Sequence, residues 1–280
     1  MMTSRKFTIM PNKSKTSWLL KLSKRRKFVL ISLLLSFGIM IVQAITNDLS
    51  RYIIIGVLAI FSILLTIWSL KEDLHKIAWF IAPILPTYFI TALNLFYFLL
   101  PENIFVRIGL ILLFAIGMYS LLLTENIFVV GALRTIQLLR AAQASGFVFS
   151  LFISFLLFDT VFSFRLSPWI NSLLVFPISF PLILQAIWSS TLDEKLEKPV
   201  LWYSLILAWV LTQGALFISM WPVSIVIASL FLVTIMYVGL GIIQQALLDR
   251  LFPQTVREYV QVGIIVLVII FFAARWGGGS

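Results

Sequence analysis

The sequence predicts an all-α membrane protein, a bundle of nine spanning helices with the N-terminus inside and the C-terminus outside. Three observations predict it. The first is composition: 61% of the 280 residues are hydrophobic and 11% are charged, against about 45–50% and about 25% in soluble domains. The mean hydropathy of +1.07 points the same way. The second is the gathering of apolar residues into runs of about 20, the length a helix needs to cross the hydrocarbon core. These runs lack the ten-residue alternation of a membrane barrel, so helices are left to satisfy the backbone in lipid. The third is the distribution of basic residues, which alternates from loop to loop.

Taken in order, residues 1–27 read as a basic cytoplasmic tail. Arg5, Lys6, Lys13, Lys15, Lys21, Lys24, Arg25, Arg26 and Lys27 lie there with no acid among them. Such a tail favours anionic lipid headgroups, by about 1 kcal/mol per basic residue near the surface. No nucleic-acid-binding motif accompanies it, which argues against nucleic acid as the partner. The first span, 28–46, follows directly. Val42-Gln43-Ala44 has a spacing that a signal peptidase accepts. The apolar run exceeds the ~7–15 residues of a signal h-region, however, so an uncleaved helix is the reading.

The next spans are expected at 52–70, 77–100 and 103–123, then at 146–166, 172–190, 200–220, 222–247 and 260–275. The loops between them are mostly short and turn-like, and none is long enough to fold as a soluble domain. The bundle thus covers 28–275. Residues 276–280, with Gly277-Gly278-Gly279-Ser280, read as a C-terminal tail or a linker scar.

Alternation of the spans puts the nine tail residues on one side with Lys71, Lys76, Arg134, Arg140, Lys195, Lys198, Arg250 and Arg257. Only Arg51, Arg107, Arg165 and Arg275 fall on the other. This excess sets the tail in the cytoplasm and checks the parity of the span count. Trp169, Trp221 and Trp276 fall at expected outer boundaries, and Trp18, Trp188 and Trp202 at inner ones, as an aromatic belt would.

The long connection 124–145 reads as an amphipathic segment on the cytoplasmic face. Arg134, Gln137, Arg140 and Gln143 recur every third position beside a ridge of Leu133, Ile136, Leu139 and Ala142. Glu125 and Asn126 suit its start. Arg134, Gln137 and Arg140 are its candidate docking residues, toward lipid or a protein partner.

The stretch Thr124-Glu125-Asn126-Ile127-Phe128, with Leu133-Arg134-Thr135-Ile136-Gln137-Leu138-Leu139-Arg140-Ala141-Ala142 and then Leu156-Leu157-Phe158-Asp159, resembles a segment of uncharacterised multi-pass membrane proteins from ultrasmall candidate-phyla bacteria. The resemblance covers about forty residues, 124–159. It implies a bacterial inner membrane and supplies no substrate.

Catalytic groups are scarce. Cysteine is absent and His75 is the one histidine, so thiol chemistry is excluded and a transition-metal site would rest on scattered carboxylates. No nucleotide-binding loop, zinc-protease or nucleophile-elbow motif occurs. No catalytic role, cofactor or metal is expected.

What remains lies inside the bilayer. Asp159 falls near the middle of the fifth span, where a charge is expensive and calls for a partner. Arg107, in the outer half of the fourth span, is the expected one. The third span carries Pro83 and Pro86, followed by Asn94, and the sixth carries Pro177 and Pro181, followed by Gln185. Proline frees a carbonyl one turn earlier. Paired broken spans in corresponding places point to a transporter site. Three functions follow: a structural or assembly protein of the inner membrane, a small-molecule or proton-coupled transporter using the broken spans three and six with Asp159, or, last because catalytic groups are missing, a membrane enzyme.

Overall fold

The computed structural model describes residues 23–45, 47–101, 103–132, 137–193 and 195–273. Among them are ten helices and no strand: α1 (Lys24–Ala44), α2 (Asp48–Leu70), α3 (Ala78–Ile81), α4 (Ile84–Tyr97), α5 (Ile104–Gly131), α6 (Leu139–Ser163), α7 (Pro168–Thr191), α8 (Lys198–Ser219), α9 (Ile225–Leu247) and α10 (Pro253–Ala273). With α3 and α4 taken as one span, nine segments among the described residues are long and apolar enough to cross a membrane.

The helix ends follow local chemistry. The Asn47 side chain accepts the backbone N–H of Leu49 at the start of α2, and Asn103 accepts that of Phe105 at the start of α5. Each satisfies a donor that the first turn leaves orphaned. Pro168 and Pro199 stand in the first turns of α7 and α8, where a missing N–H costs nothing. Leu192 ends α7 in a left-handed conformation.

Many buried hydroxyls are satisfied along the helix axis, while those of Ser62, Thr66 and Thr87 are left without a partner among the described residues. Ser36, Ser150, Thr160, Ser204 and Thr212 each donate to the carbonyl four residues back. This lets polar side chains sit in an apolar core without a distant partner. The helices pack in a chain of neighbours, with α7 against α8 the most extensive pair, α1 on α5, and α6 on α4, α5, α7 and α9. The last helix, α10, packs chiefly on α9 and buries Ile270 alone.

Gly146 sets the close approach of α6 to α5. A Cβ there would stand 2.8 Å from Phe128 Cζ, in a ring that is itself fully buried.

The expected amphipathic helix over 124–145 is corrected. Residues 124–131 are the last two turns of α5, and 139–145 are the first turns of α6. The 28 residues of α5 rise about 42 Å at ~1.5 Å each, so the helix outruns a hydrocarbon core of about 30 Å. The polar trio Thr124-Glu125-Asn126 therefore lies within a helix and not at the start of a new one. Gln137 and Arg140 are exposed, while Arg134, Leu133 and Ile136 lie outside the described residues, as do most of the basic tail and residues 276–280. Trp188 also departs from the expected belt. It is 1% exposed, and its Nε1 donates to the Asp193 carbonyl.

Candidate functional site

The starts of α1, α6, α8 and α10 share one end of the bundle with the ends of α2, α5, α7 and α9. This end carries most of the described basic residues. At its edge α1 is tied by ions to the loop that follows α2. Lys24 pairs with Asp73, and Lys27 pairs with Glu72 at 3.1 Å. Lys27 is 1% exposed and its ammonium lies 5.4 Å from the centre of the Trp68 ring. An aromatic face suits a desolvated cation. The Asp73 carbonyl also meets Nδ1 of His75, so the single histidine closes this loop at the bundle edge.

Inward of that edge, amides and a carboxyl converge on α7. Gln185 Nε2 donates to Glu125 Oε1 at 2.7 Å, and both residues are fully buried. One turn further along α7, Gln143 of α6 donates to the carbonyls of Ser189 and Ser190 at 3.3 and 3.2 Å. From α9, Gln244 Nε2 donates to the Ala186 carbonyl at 2.8 Å. Three helices therefore grip residues 185–190 of a fourth. The last four carbonyls of a helix lack intrahelical donors, and the Gln143 amide supplies two of those on α7.

The opposite end holds Asp159, one turn before the end of α6. It is 6% exposed, and its Oδ1 accepts from Ser229 of α9 at 3.4 Å. The same hydroxyl lies closer, at 3.0 Å, to the carbonyl of Ile225. The expected partner is corrected: no ion pair joins Asp159 to Arg107. Both sit near the same end, but Asp159 turns toward α9, while half-buried Arg107 lies in the first turn of α5. On α7 and α8 nearby, Ser172 donates to the Thr212 carbonyl at 2.8 Å, and Asn171 Nδ2 reaches Ser219 at 3.4 Å.

The prolines act unequally. Around Pro83 the third span splits into α3 and α4, with Pro86 in the first turn of α4. The sixth span is not broken: α7 runs through Pro177 and Pro181. Tyr88 of α4 donates to the Pro177 carbonyl at 3.2 Å, the acceptor that lacks an N–H because residue 181 is proline. The two proline helices do meet, and this hydroxyl bonds one to the other. Asn94 is 1% exposed and donates to the Ile90 carbonyl of its own helix. A groove of about 600 Å³ beside the break is lined by Ile63, Ile67, Trp79, Phe80 and Pro83 and opens on the bundle surface.

Of the residues expected at an intramembrane site, the structure brings Gln185 into the α5–α7 join and Pro177 into contact with Tyr88. It leaves Asp159, Arg107 and Asn94 apart from these. Glu125, Gln143 and Gln244 complete the join. Their signal was an amide or carboxyl within reach of an apolar run, hidden for Glu125 and Gln143 by the adjoining polar residues.

Taken together, these features define a polytopic bundle of apolar helices cross-braced by buried amides, hydroxyls and a carboxyl. The chain belongs to the family described as protein of unknown function (DUF5656), which matches residues 34–273. No curated protein and no solved structure matches it.

Proposed function

We propose that the chain is a structural or assembly protein of a bacterial inner membrane, with its N-terminus inside and its C-terminus outside. The observation that carries this reading is the use of the interior polar side chains. Glu125, Gln185, Gln143, Gln244 and Tyr88 tie α4, α5, α6 and α9 to α7. Polar groups spent on helix–helix joins act as glue within a bundle. The basic excess on one side supports the orientation and gives that face an affinity for anionic lipid headgroups. Exposed Gln137 and Arg140, with Arg134, are the residues offered there to lipid or a protein partner. The resemblance at 124–159 supports the bacterial inner membrane.

A second reading is a proton- or ion-coupled transporter around Asp159. It is favoured by a nearly buried carboxyl with no ion pair among the described residues, since an ionisable group at that depth is a functional candidate. One experiment separates the two. The purified chain and its Asp159→Asn and Gln185→Leu variants are reconstituted in vesicles, and thermal stability and ion-driven dye responses are followed together. Bracing predicts that Gln185→Leu lowers stability and that no variant changes an ion response. An ion response abolished by Asp159→Asn at unchanged stability would replace assembly with transport.

A further inference from the structure

Glu125 and Gln185 present a half-made pattern. Gln185 Nε2 donates to Glu125 Oε1 at 2.7 Å. The remaining oxygen of each group, Glu125 Oε2 and Gln185 Oε1, is buried without a hydrogen-bond partner. Both residues are 0% exposed, so water does not replace the missing donor, and an unmet acceptor in an apolar interior is costly. A carboxylic acid and a primary amide are planar groups of one shape, each with a donor and an acceptor along one edge. Laid edge to edge they close an eight-membered ring with two hydrogen bonds. The observed bond is one of the two, and the two orphaned oxygens are the atoms that the other would join.

We propose that Glu125 is a proton-binding site: a proton on Oε2, donated to Gln185 Oε1, closes the ring and joins α5 to α7 as a neutral acid–amide pair. One proton satisfies both orphaned atoms at once. It also removes the single negative charge, which no ion pair among the described residues offsets. The helices α4, α7 and α9 carry no charged residue. On α1, Lys24 and Lys27 are committed to Asp73 and Glu72, and Arg25, Arg26 and Arg140 of α6 are exposed. None of these cations forms an ion pair with Glu125. An ionised carboxylate would instead set its Oε2 against the amide oxygen, acceptor against acceptor.

The test is infrared spectroscopy of the full chain in lipid vesicles at pH 7, in water and in heavy water. The wild type is expected to show the C=O stretch of a protonated carboxyl that Glu125→Gln removes and Asp159→Asn leaves. Glu125→Gln should stay folded, because two amides close the same ring. Gln185→Leu keeps the carboxyl but removes its partner, and should move the band to higher frequency. The proposal is overturned if the wild type shows carboxylate bands alone, if Asp159→Asn abolishes the band, or if Gln185→Leu leaves it in place. If Glu125→Gln fails to fold, the Gln185→Leu shift decides by itself. None of these outcomes depends on the assembly reading, which rests on stability and ion response.

Discussion

Tyr88 donates its hydroxyl to the Pro177 carbonyl across the α4–α7 contact, at 3.2 Å. In a regular helix that carbonyl would accept the N–H of residue 181, and residue 181 is proline. A defect in one proline-bearing helix is thus repaired by a side chain from the other. The repair serves the carbonyl that Pro181 leaves open, in a helix that runs unbroken through both of its prolines, while the third span splits at Pro83. No such bond from α7 reaches the split among the described residues, and Ala82 and Pro83 between α3 and α4 keep right-handed helical angles.

Replacing the hydroxyl should therefore matter only while Pro181 is present. Tyr88→Phe is expected to cost about 1 kcal/mol of unfolding free energy, the net worth of one hydrogen bond. In a Pro181→Ala background the N–H returns and the cost should fall toward zero. Denaturant titration of the four variants measures the coupling. Equal costs in both backgrounds would show that the hydroxyl serves something else.

At the basic edge, the near-complete burial of Lys27 gives an asymmetric expectation. Glu72→Gln leaves a buried ammonium with only the Trp68 ring for company. It should destabilise by roughly 1–2 kcal/mol, less than the ~3–5 kcal/mol of a fully buried pair because Glu72 is half-exposed. Lys27→Met with Glu72→Gln removes both charges and should regain most of the loss. Thermal unfolding of the single and double variants reads the difference directly.

The spans were legible because hydropathy over twenty residues is a local property. The expected boundaries fall within a few residues of most helices. They fail where polar residues interrupt an apolar run without ending the helix. Thr124-Glu125-Asn126 looks like the close of one span, yet α5 continues to Gly131. The partner lies 60 residues away, where Gln185 donates to the Glu125 carboxyl. A local window does not contain that partner. The pairing of Asp159 failed for a related reason. Hydropathy gives the depth of a residue in the bilayer, and depth together with the adjacency of consecutive spans chose Arg107. The direction in which Asp159 points is set by how α6 packs on α9.

Orientation is tested by reporters that are active only outside the cytoplasm. Fusions after Asp48, Trp169 and Ser280 should be active, and fusions after His75, Gln137 and Glu194 should be silent. The break between α5 and α6 makes Gln137 the decisive position. Activity there would move the parity of every later span and remove the basis for an inner basic face.

The contact of Gly146 with Phe128 tests whether the first turns of α6 belong to the packed bundle. Gly146→Ala places a Cβ 2.8 Å from the Phe128 ring and should cost about 1–3 kcal/mol by overpacking. Adding Phe128→Leu opens the space and should recover part of that cost. A helix lying on the membrane surface would instead gain slightly from Ala in place of Gly. The sign of the single substitution, read from thermal stability, decides between them.

Asp159 offers the sharpest comparison, because depth and geometry assign it different partners. Were it paired with Arg107, neutralising either would strand a charge, and the double variant would recover the loss. The observed acceptor contact is with Ser229, long at 3.4 Å and shared with the Ile225 carbonyl. Asp159→Asn keeps an oxygen for that hydroxyl and removes a charge from an apolar site. It should leave stability unchanged or raise it slightly. Asp159→Asn and Arg107→Gln should then add within about 0.3–0.5 kcal/mol, as separate sites do. Asp159→Leu and Ser229→Ala share a contact and should couple by about 0.5–1 kcal/mol. Unfolding measurements on both cycles settle the assignment. A coupling to Arg107 larger than that to Ser229 would mean that the charge pair, and not the hydroxyl, holds Asp159 in the membrane.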